Sequence, residues 1–231
     1  MHVPMGPEPA GVHTVADVVA RMERISADLP IGDGVRAFNE MYLATTRNVD
    51  EAIRGQQFAD PAFMTRLDVV FATLFFSALD VHAGDASLAP HSWRALFEAR
   101  DRAGISQLQF AVAGMNAHIN YDLARAVVLT AREVGGGLDE RRRADFLVIN
   151  DVLERTQPAV QRQLLTGPFA LVDSALGSHD DRVAAWGIRR AREFAWATAE
   201  TLWDVQGSSA EKRFLGGVDR MVGLTSRLLL R

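Results

Sequence analysis

The chain has 231 residues, a formal net charge of −4, 48% apolar residues and no cysteine. The acidic balance argues against nucleic acid or an anionic membrane surface as the main partner, and the lack of cysteine excludes disulfides, thiolate metal sites and a cysteine nucleophile. Because neither a long uncharged apolar segment nor a signal peptide is recognisable, we expect a cytoplasmic protein without a membrane span.

Helical sequence patterns follow one another along the chain, and no alternating strand pattern interrupts them. No linker rich in serine, glycine and proline divides the chain. We therefore predict a single all-α domain over residues 13–231, orthogonal or bundle-like, with about eight helices around a buried central helix at 105–133. Residues 1–12 precede it, and their three prolines indicate a flexible N-terminal arm.

The first half of the chain predicts four helices, the first three of which begin at residues suited to capping a helix N-terminus. The predicted starts are Thr14 (with Asp17 in a capping box), Asp33, Asp60-Pro61 and His91. The third helix runs to about Ala83, and the acidic residue Asp68 falls on its apolar face. An acid in that position needs a partner or a function.

The predicted central helix is apolar on all sides, yet its midpoint carries Asn116, His118, Asn120 and Asp122. Buried polar groups must be hydrogen-bonded or ligated, or they cost roughly 1–3 kcal/mol each. His118 and Asp122 are four residues apart, so they share a face and can bind each other or one ligand. Asn116 and Asn120 form a second pair on roughly the opposite side. These four residues are the predicted site.

The second half predicts a helix from Asp139 that carries Asp145 on its apolar face and breaks or restarts at Pro158. Gly167-Pro168 predicts a further turn.

A long helix from about Asp180 carries Trp186, Trp196 and Trp203, and the last helix starts at Ser208 or Ser209. On the long helix, Arg192 beside Trp196 could hold a carboxylate or phosphate, although a solvated, salt-bridged face explains the same pattern. With Tyr121 of the central helix, these two residues are candidate substrate contacts.

Three interpretations of the predicted site remain open. In the first, Asp122 only holds His118 and Arg125 in a structural network. In the second, His118, Asp122, Asp68 and Asp145 ligate a single divalent metal ion, for which iron, manganese or zinc would suit the ligand types. In the third, Asp122 orients His118, which moves a proton in an apolar pocket without a metal.

Five sequence blocks resemble an uncharacterised, largely actinobacterial domain family of unknown function. The signature is AGMNAHIN (113–120) followed by Asp122-Leu123; the other blocks are GVRAFNEMYLATT (34–46), RLDVVFATLFFSAL (66–79), ADFLVINDVL (144–153) and RRAREFAWATAETLW (189–203). The resemblance implies an all-helical domain, often encoded in bacteria rich in secondary metabolism. It implies no particular activity.

These observations favour an enzyme that acts on a small, mostly apolar molecule between helices. A cyclisation, isomerisation, elimination or oxidation that tailors a secondary metabolite would fit, with His118 and Asp122 as the reactive pair. The rival is a non-catalytic ligand-binding or scaffold protein in which the same residues only specify the core. The expected partners are a small-molecule ligand or substrate and, as an option left open, a second copy of the chain in a homodimer.

Overall fold

The computed structural model describes the backbone of residues 11–165 and 181–231 and the side chains of residues 11–153 and 187–231. The helices are α1 (Val15–Asp28), α2 (Gly34–Arg54), α3 (Pro61–Gly84), α4 (His91–Ala99), α5 (Gln107–Ala117), α6 (Leu123–Val134), α7 (Glu140–Leu165), α8 (Asp181–Val205) and α9 (Ser209–Leu229). A short 3-10 turn spans Ala86–Leu88, and a π-helical turn, His118–Asp122, joins α5 to α6. These ranges contain no strand, so the predicted all-α class is confirmed.

Helix starts follow the predicted capping residues closely. Thr14 and Asp17 form a reciprocal capping box at α1, and the Asp33 carboxylate accepts backbone N–H bonds from Val35 and Arg36. Asp60 caps α3 in the same way, ahead of a proline in the first turn. Such caps satisfy N–H groups that have no partner within the helix, which is why short sequence signals locate helix starts well.

The predicted interruption at Pro158 is wrong, because α7 continues through it to Leu165. Proline removes one backbone donor from a helix, a loss that a long helix can sustain. Three other expectations lie outside the described residues: the turn at Gly167-Pro168, the side chain of Trp186, and residues 1–10 of the expected arm. Val12, at the end of that arm, is buried against the core.

The core consists of two apolar clusters that meet at the π-helical turn. The first draws on α1, α4, α5, most of α2 and the C-terminal half of α3; the second draws on α6, α7, α8, the C-terminal end of α2 and the N-terminal half of α3. Ala117, just before the turn, belongs to the first cluster, and Leu123, just after it, belongs to the second. The polar residues of the π-helical turn therefore lie between two apolar regions.

Helix α3 is long and apolar enough to cross a membrane by length and composition alone, which the sequence analysis did not anticipate. Half of its most apolar window is buried inside the fold. Core helices of globular proteins commonly pass the same test, so this is weak evidence for a span.

Candidate functional site

The π-helical turn is the local feature that builds the candidate site. The backbone N–H of Leu123 donates to the carbonyl of His118, five residues earlier, where an α-helix would bond residues four apart. The predicted continuous helix over 105–133 is thus two α-helices joined by one wider turn. Turns of this kind occur frequently at functional sites.

A close helix contact sets the position of this turn. A Cβ atom on Gly114 of α5 would lie 2.4 Å from ring atoms of Phe38 on α2, so only glycine allows the two helices to approach this closely. Phe38 in turn packs edge-on against the His118 ring, with centroids 5.7 Å apart. The glycine of the AGMNAHIN block therefore has a direct packing role beside the histidine.

Asp122 is fully buried and is held by three donors. Trp93 Nε1 donates to Oδ2 at 2.7 Å, Arg125 donates to Oδ1 at 3.0 Å, and His118 Nδ1 lies 3.2 Å from Oδ2. Since the carboxylate can only accept, we assign the proton of the neutral imidazole to Nδ1. The other ring nitrogen, Nε2, is then the free base.

The His118 ring is fixed by aromatic packing as well as by Asp122. It stacks on Phe71 of α3 with centroids 3.5 Å apart and planes inclined by 6°. Tyr42 packs edge-on at 4.5 Å. Burial in this apolar surround lowers the pKa of His118, and the neighbouring Asp122 charge only partly opposes the shift. The imidazole is therefore neutral at pH 7.

A cavity of about 430 Å³ opens beside this ring and lies between the two apolar clusters. Four buried polar atoms of its lining have no hydrogen-bond partner among the described residues: Nε2 of His118, Oδ2 of Asp68, and the hydroxyl oxygens of Tyr42 and Thr46. Tyr42 and Thr46 are neighbours one turn apart on α2, but their hydroxyls lack the geometry of a full hydrogen bond. Most of the remaining lining is apolar, which is the usual composition of a small-molecule site.

Asp68 is the predicted acid on the apolar face of α3, and the structure places it in this cavity wall. It lies one turn before Phe71, which stacks on His118. Burial, helped by the charge of Asp50, raises the pKa of Asp68 to about 7. Near neutral pH this carboxyl group exists in both its protonated and ionised forms.

The predicted metal-ligand set does not converge. Asp145 accepts the backbone N–H groups of Ala59 and Asp60, at 2.8 and 2.6 Å, and so fixes the loop before α3. Among the described side chains, those of residues 11–153 and 187–231, there is no group of three or more His, Asp or Glu placed to hold a metal ion. The prediction failed for Asp145 because its role, capping a distant loop, depends on a contact that spacing along one helix cannot reveal.

The two asparagines connect the π-helical turn to α9. The side-chain amide of Asn116 donates to the carbonyl of Val222 and to Ser226 Oγ, and Asn120 donates to Asn116 Oδ1 at 3.0 Å. Both residues contribute to the cavity wall. Their hydrogen bonds favour a structural role over the predicted catalytic one.

The three candidate substrate residues lie in different surroundings. Tyr121 packs under the guanidinium group of Arg125, and Trp196 is buried against Phe146 and donates to Glu200; neither is part of the cavity lining. Arg192 does line the cavity and is buried, with 6% of its surface exposed. The alternative of a solvated face at Arg192 is therefore wrong.

Sequence reasoning missed several residues that complete the site. The sequence analysis did not identify Trp93, Phe71 or Tyr42 as residues of the site. One signal was available on α2, where Tyr42 and Thr46 place two hydroxyls four residues apart on a buried face. The bond from Trp93 to Asp122 joins residues 29 positions apart, and no local pattern predicts it.

Comparison with known proteins gives a family but no activity. No curated protein matches the chain, and no solved structure does. A family model described as a family of unknown function (DUF5995) matches residues 15–231, nearly the whole chain. The chain therefore belongs to this family of unknown function, DUF5995.

Proposed function

We propose that this protein is an enzyme that moves a proton on a small, mostly apolar molecule bound in the 430 Å³ cavity. The observation that carries the proposal is the group of unpartnered polar atoms at one apolar cavity, above all His118 Nε2 and Asp68 Oδ2. Buried polar atoms without a partner cost about 1–3 kcal/mol each, and a bound molecule with matching groups would recover that cost. Active sites commonly retain such destabilising arrangements.

In this proposal His118 is the general base. Its Nδ1–H donates to Asp122, so Nε2 offers a lone pair to the cavity. The lowered pKa keeps the imidazole neutral at pH 7 and therefore able to accept a proton. When it does so, Asp122 stabilises the imidazolium, and Trp93 and Arg125 hold Asp122 in place.

Asp68 is the matching general acid. A carboxyl group with a pKa of about 7 is partly protonated at neutral pH and can donate its proton to a substrate atom. The adjacent hydroxyl of Tyr42, whose pKa burial raises well above its ordinary value, stays protonated and can donate a hydrogen bond to the same ligand. A base and an acid with differently shifted pKa values are thus available at one cavity.

This pair supports three of the four expected reaction types. Isomerisation, elimination and cyclisation each need a proton removed at one atom and delivered at another, whereas oxidation also needs an electron acceptor. Tailoring steps in bacterial secondary metabolism include these reactions, and we retain that setting as part of the proposal. The rival function, ligand binding without chemistry, draws support from Asp122 and Asn116, whose side chains hydrogen-bond within the fold to Trp93, Arg125 and Val222.

The test uses a probe that needs only a base in an apolar pocket. Nitrobenzisoxazole loses its ring proton to a base while its N–O bond breaks, and the product is a coloured cyanophenolate. We expect the wild-type protein to accelerate this elimination and His118→Gln to reduce the rate about 100-fold. The catalysed rate should also fall as the pH is lowered through the pKa of His118, which burial holds below its ordinary value.

The exposed His13 provides the matched control, since His13→Gln removes an imidazole far from the cavity lining. This variant should retain the wild-type rate. Equal rates for wild type and His118→Gln, with both folded, would overturn the proposal. Binding of a small apolar molecule in the cavity without this rate difference would instead support the non-catalytic ligand-binding function.

A further inference from the structure

Arg192 on α8 is a buried cation in the wall of the same cavity. Its Nε donates to Asn150 Oδ1 at 2.9 Å, and one terminal nitrogen donates to the carbonyl of Phe146 at 2.8 Å. The guanidinium group places its carbon over the Phe146 ring, 4.3 Å from the centroid. Its plane is therefore fixed by three contacts, all with neutral groups.

No carboxylate of the described residues forms an ion pair with Arg192. Burial alone lowers the pKa of Arg192 to about 9, so the side chain still carries its charge at pH 7. Beside it, Nδ2 of the buried Asn150 has no hydrogen-bond partner in the described part of the structure. The buried charge of Arg192 thus has no counter-ion among the described residues, and such a charge is expensive to maintain.

Arg142 shows how this protein holds a buried arginine with a structural role. It is as deeply buried as Arg192, but it pairs with Asp60 and donates to the carbonyls of Gly135 and Gly137. Arg142 is thus neutralised and also closes the turn between α6 and α7. Arg192 has no comparable acidic partner, although it faces a cavity.

We propose that Arg192 binds the carboxylate of the ligand, so that the molecule in the cavity is a small apolar carboxylic acid bound as its anion. This inference rests on the proposed function in one respect, namely that the cavity is a ligand site. The guanidinium fork matches the two oxygens of a carboxylate, and such charge-assisted pairs are among the strongest hydrogen bonds.

The charges around the cavity favour a monoanion over a phosphate. Asp122 is balanced by Arg125 and His118 is neutral, so in the form of the site in which Asp68 is protonated, Arg192 leaves one unbalanced positive charge. One carboxylate neutralises that charge, whereas a doubly charged phosphate would leave an excess negative charge in an apolar cavity. The carboxylate serves as an anchor, and the proton transfer at His118 and Asp68 concerns another part of the molecule.

The test compares straight-chain carboxylates up to dodecanoate with alcohols of the same chain length, by titration calorimetry at pH 7. We expect decanoate to bind the wild-type protein at least about tenfold more tightly than decanol does. Arg192→Gln should weaken decanoate binding by about the same factor and leave decanol binding unchanged. Arg190→Gln is the matched control: it removes the same charge from an exposed side chain of α8 and should change neither affinity.

Several results would overturn the inference. One is equal affinity of the wild type for decanoate and decanol, which tests the claim even if Arg192→Gln fails to fold. A second is that folded Arg192→Gln binds decanoate as tightly as the wild type does. A third is that the wild-type protein binds neither carboxylates nor alcohols at any chain length. The failures of the two proposals are distinguishable: decanoate binding does not require His118, and elimination of the uncharged nitrobenzisoxazole does not require Arg192.

Discussion

The His118 ring lies flat against the Phe71 ring, with centroids 3.5 Å apart and planes only 6° from parallel. This stack fixes the plane of the imidazole, while the contact between Nδ1 and Asp122 fixes its rotation within that plane. Together the two contacts leave Nε2 as the buried ring nitrogen that has no hydrogen-bond partner among the described residues, and His118 is part of the cavity wall. Phe71 is therefore a positioning residue for His118.

Phe71→Leu should lower the nitrobenzisoxazole elimination rate about tenfold, because the imidazole loses the surface that orients it. The control is Phe76→Leu, since Phe76 is a fully buried residue of the same helix that makes no ring contact with His118. Phe76→Leu should lower the melting temperature but keep the wild-type rate. Equal elimination rates for the two variants would contradict the positioning role of Phe71.

Asp122→Asn should lower the free energy of unfolding by about 3 kcal/mol, because it leaves Arg125 without its buried counter-charge. It should also reduce elimination, since the amide no longer favours a proton on Nδ1 of His118. Asp145→Asn is the matched comparison: it removes a buried carboxylate charge held by two backbone N–H groups, with an expected loss of about 2 kcal/mol. Chemical denaturation measures the loss in the free energy of unfolding, and the elimination assay measures the loss in rate. A full rate in Asp122→Asn would contradict the assigned role.

Asp68→Asn should stabilise the fold at pH 8 and have little effect on stability near pH 4. Because the folded-state pKa of Asp68 is raised from 3.8 to about 7, the folded protein binds the extra proton between those values. Its contribution to stability is present below pH 3.8 and is lost as the pH rises through 7, by up to about 4 kcal/mol. Urea denaturation at the two pH values measures the effect, with Asp101→Asn, at an exposed position, as the matched control. A loss of stability at pH 8 in Asp68→Asn would refute the buried-acid assignment.

Gly114→Ala should destabilise the protein by about 3 kcal/mol, because the new methyl group would overlap the ring of Phe38. Gly217→Ala is the matched control, since no atom lies within 4 Å of the added Cβ on α9. It should stabilise the protein by up to about 1 kcal/mol through helix propensity. Thermal unfolding of both variants checks the contrast, and two similar melting temperatures would argue against the close helix contact.

Local signals in the sequence were sufficient to predict the fold class and the pairing of His118 with Asp122 within the π-helical turn. Thr14, Asp33 and Asp60 act on backbone groups within a few residues, and His118 and Asp122 are four residues apart, so each contact is decided locally. The π-helical turn itself has no sequence pattern that distinguishes it from α-helix.

The remainder of the site depends on tertiary contacts. Asp145 bonds to backbone groups more than 80 residues away, and Arg192 finds its acceptors on α7. A helical pattern can indicate that such a residue is buried, but it cannot tell which neighbour will satisfy it. For that reason Asp145 resembled a ligand of the site, and the isolation of Arg192 from carboxylates became visible only in the structure.

The central claim, that His118 offers a free Nε2 to the cavity, is tested most directly by ¹⁵N NMR of the imidazole nitrogens at pH 7. The account predicts a neutral ring with the proton on Nδ1 and an unprotonated Nε2, and His118→Gln would assign the signals. A proton on Nε2, or a fully protonated imidazolium at pH 7, would contradict it.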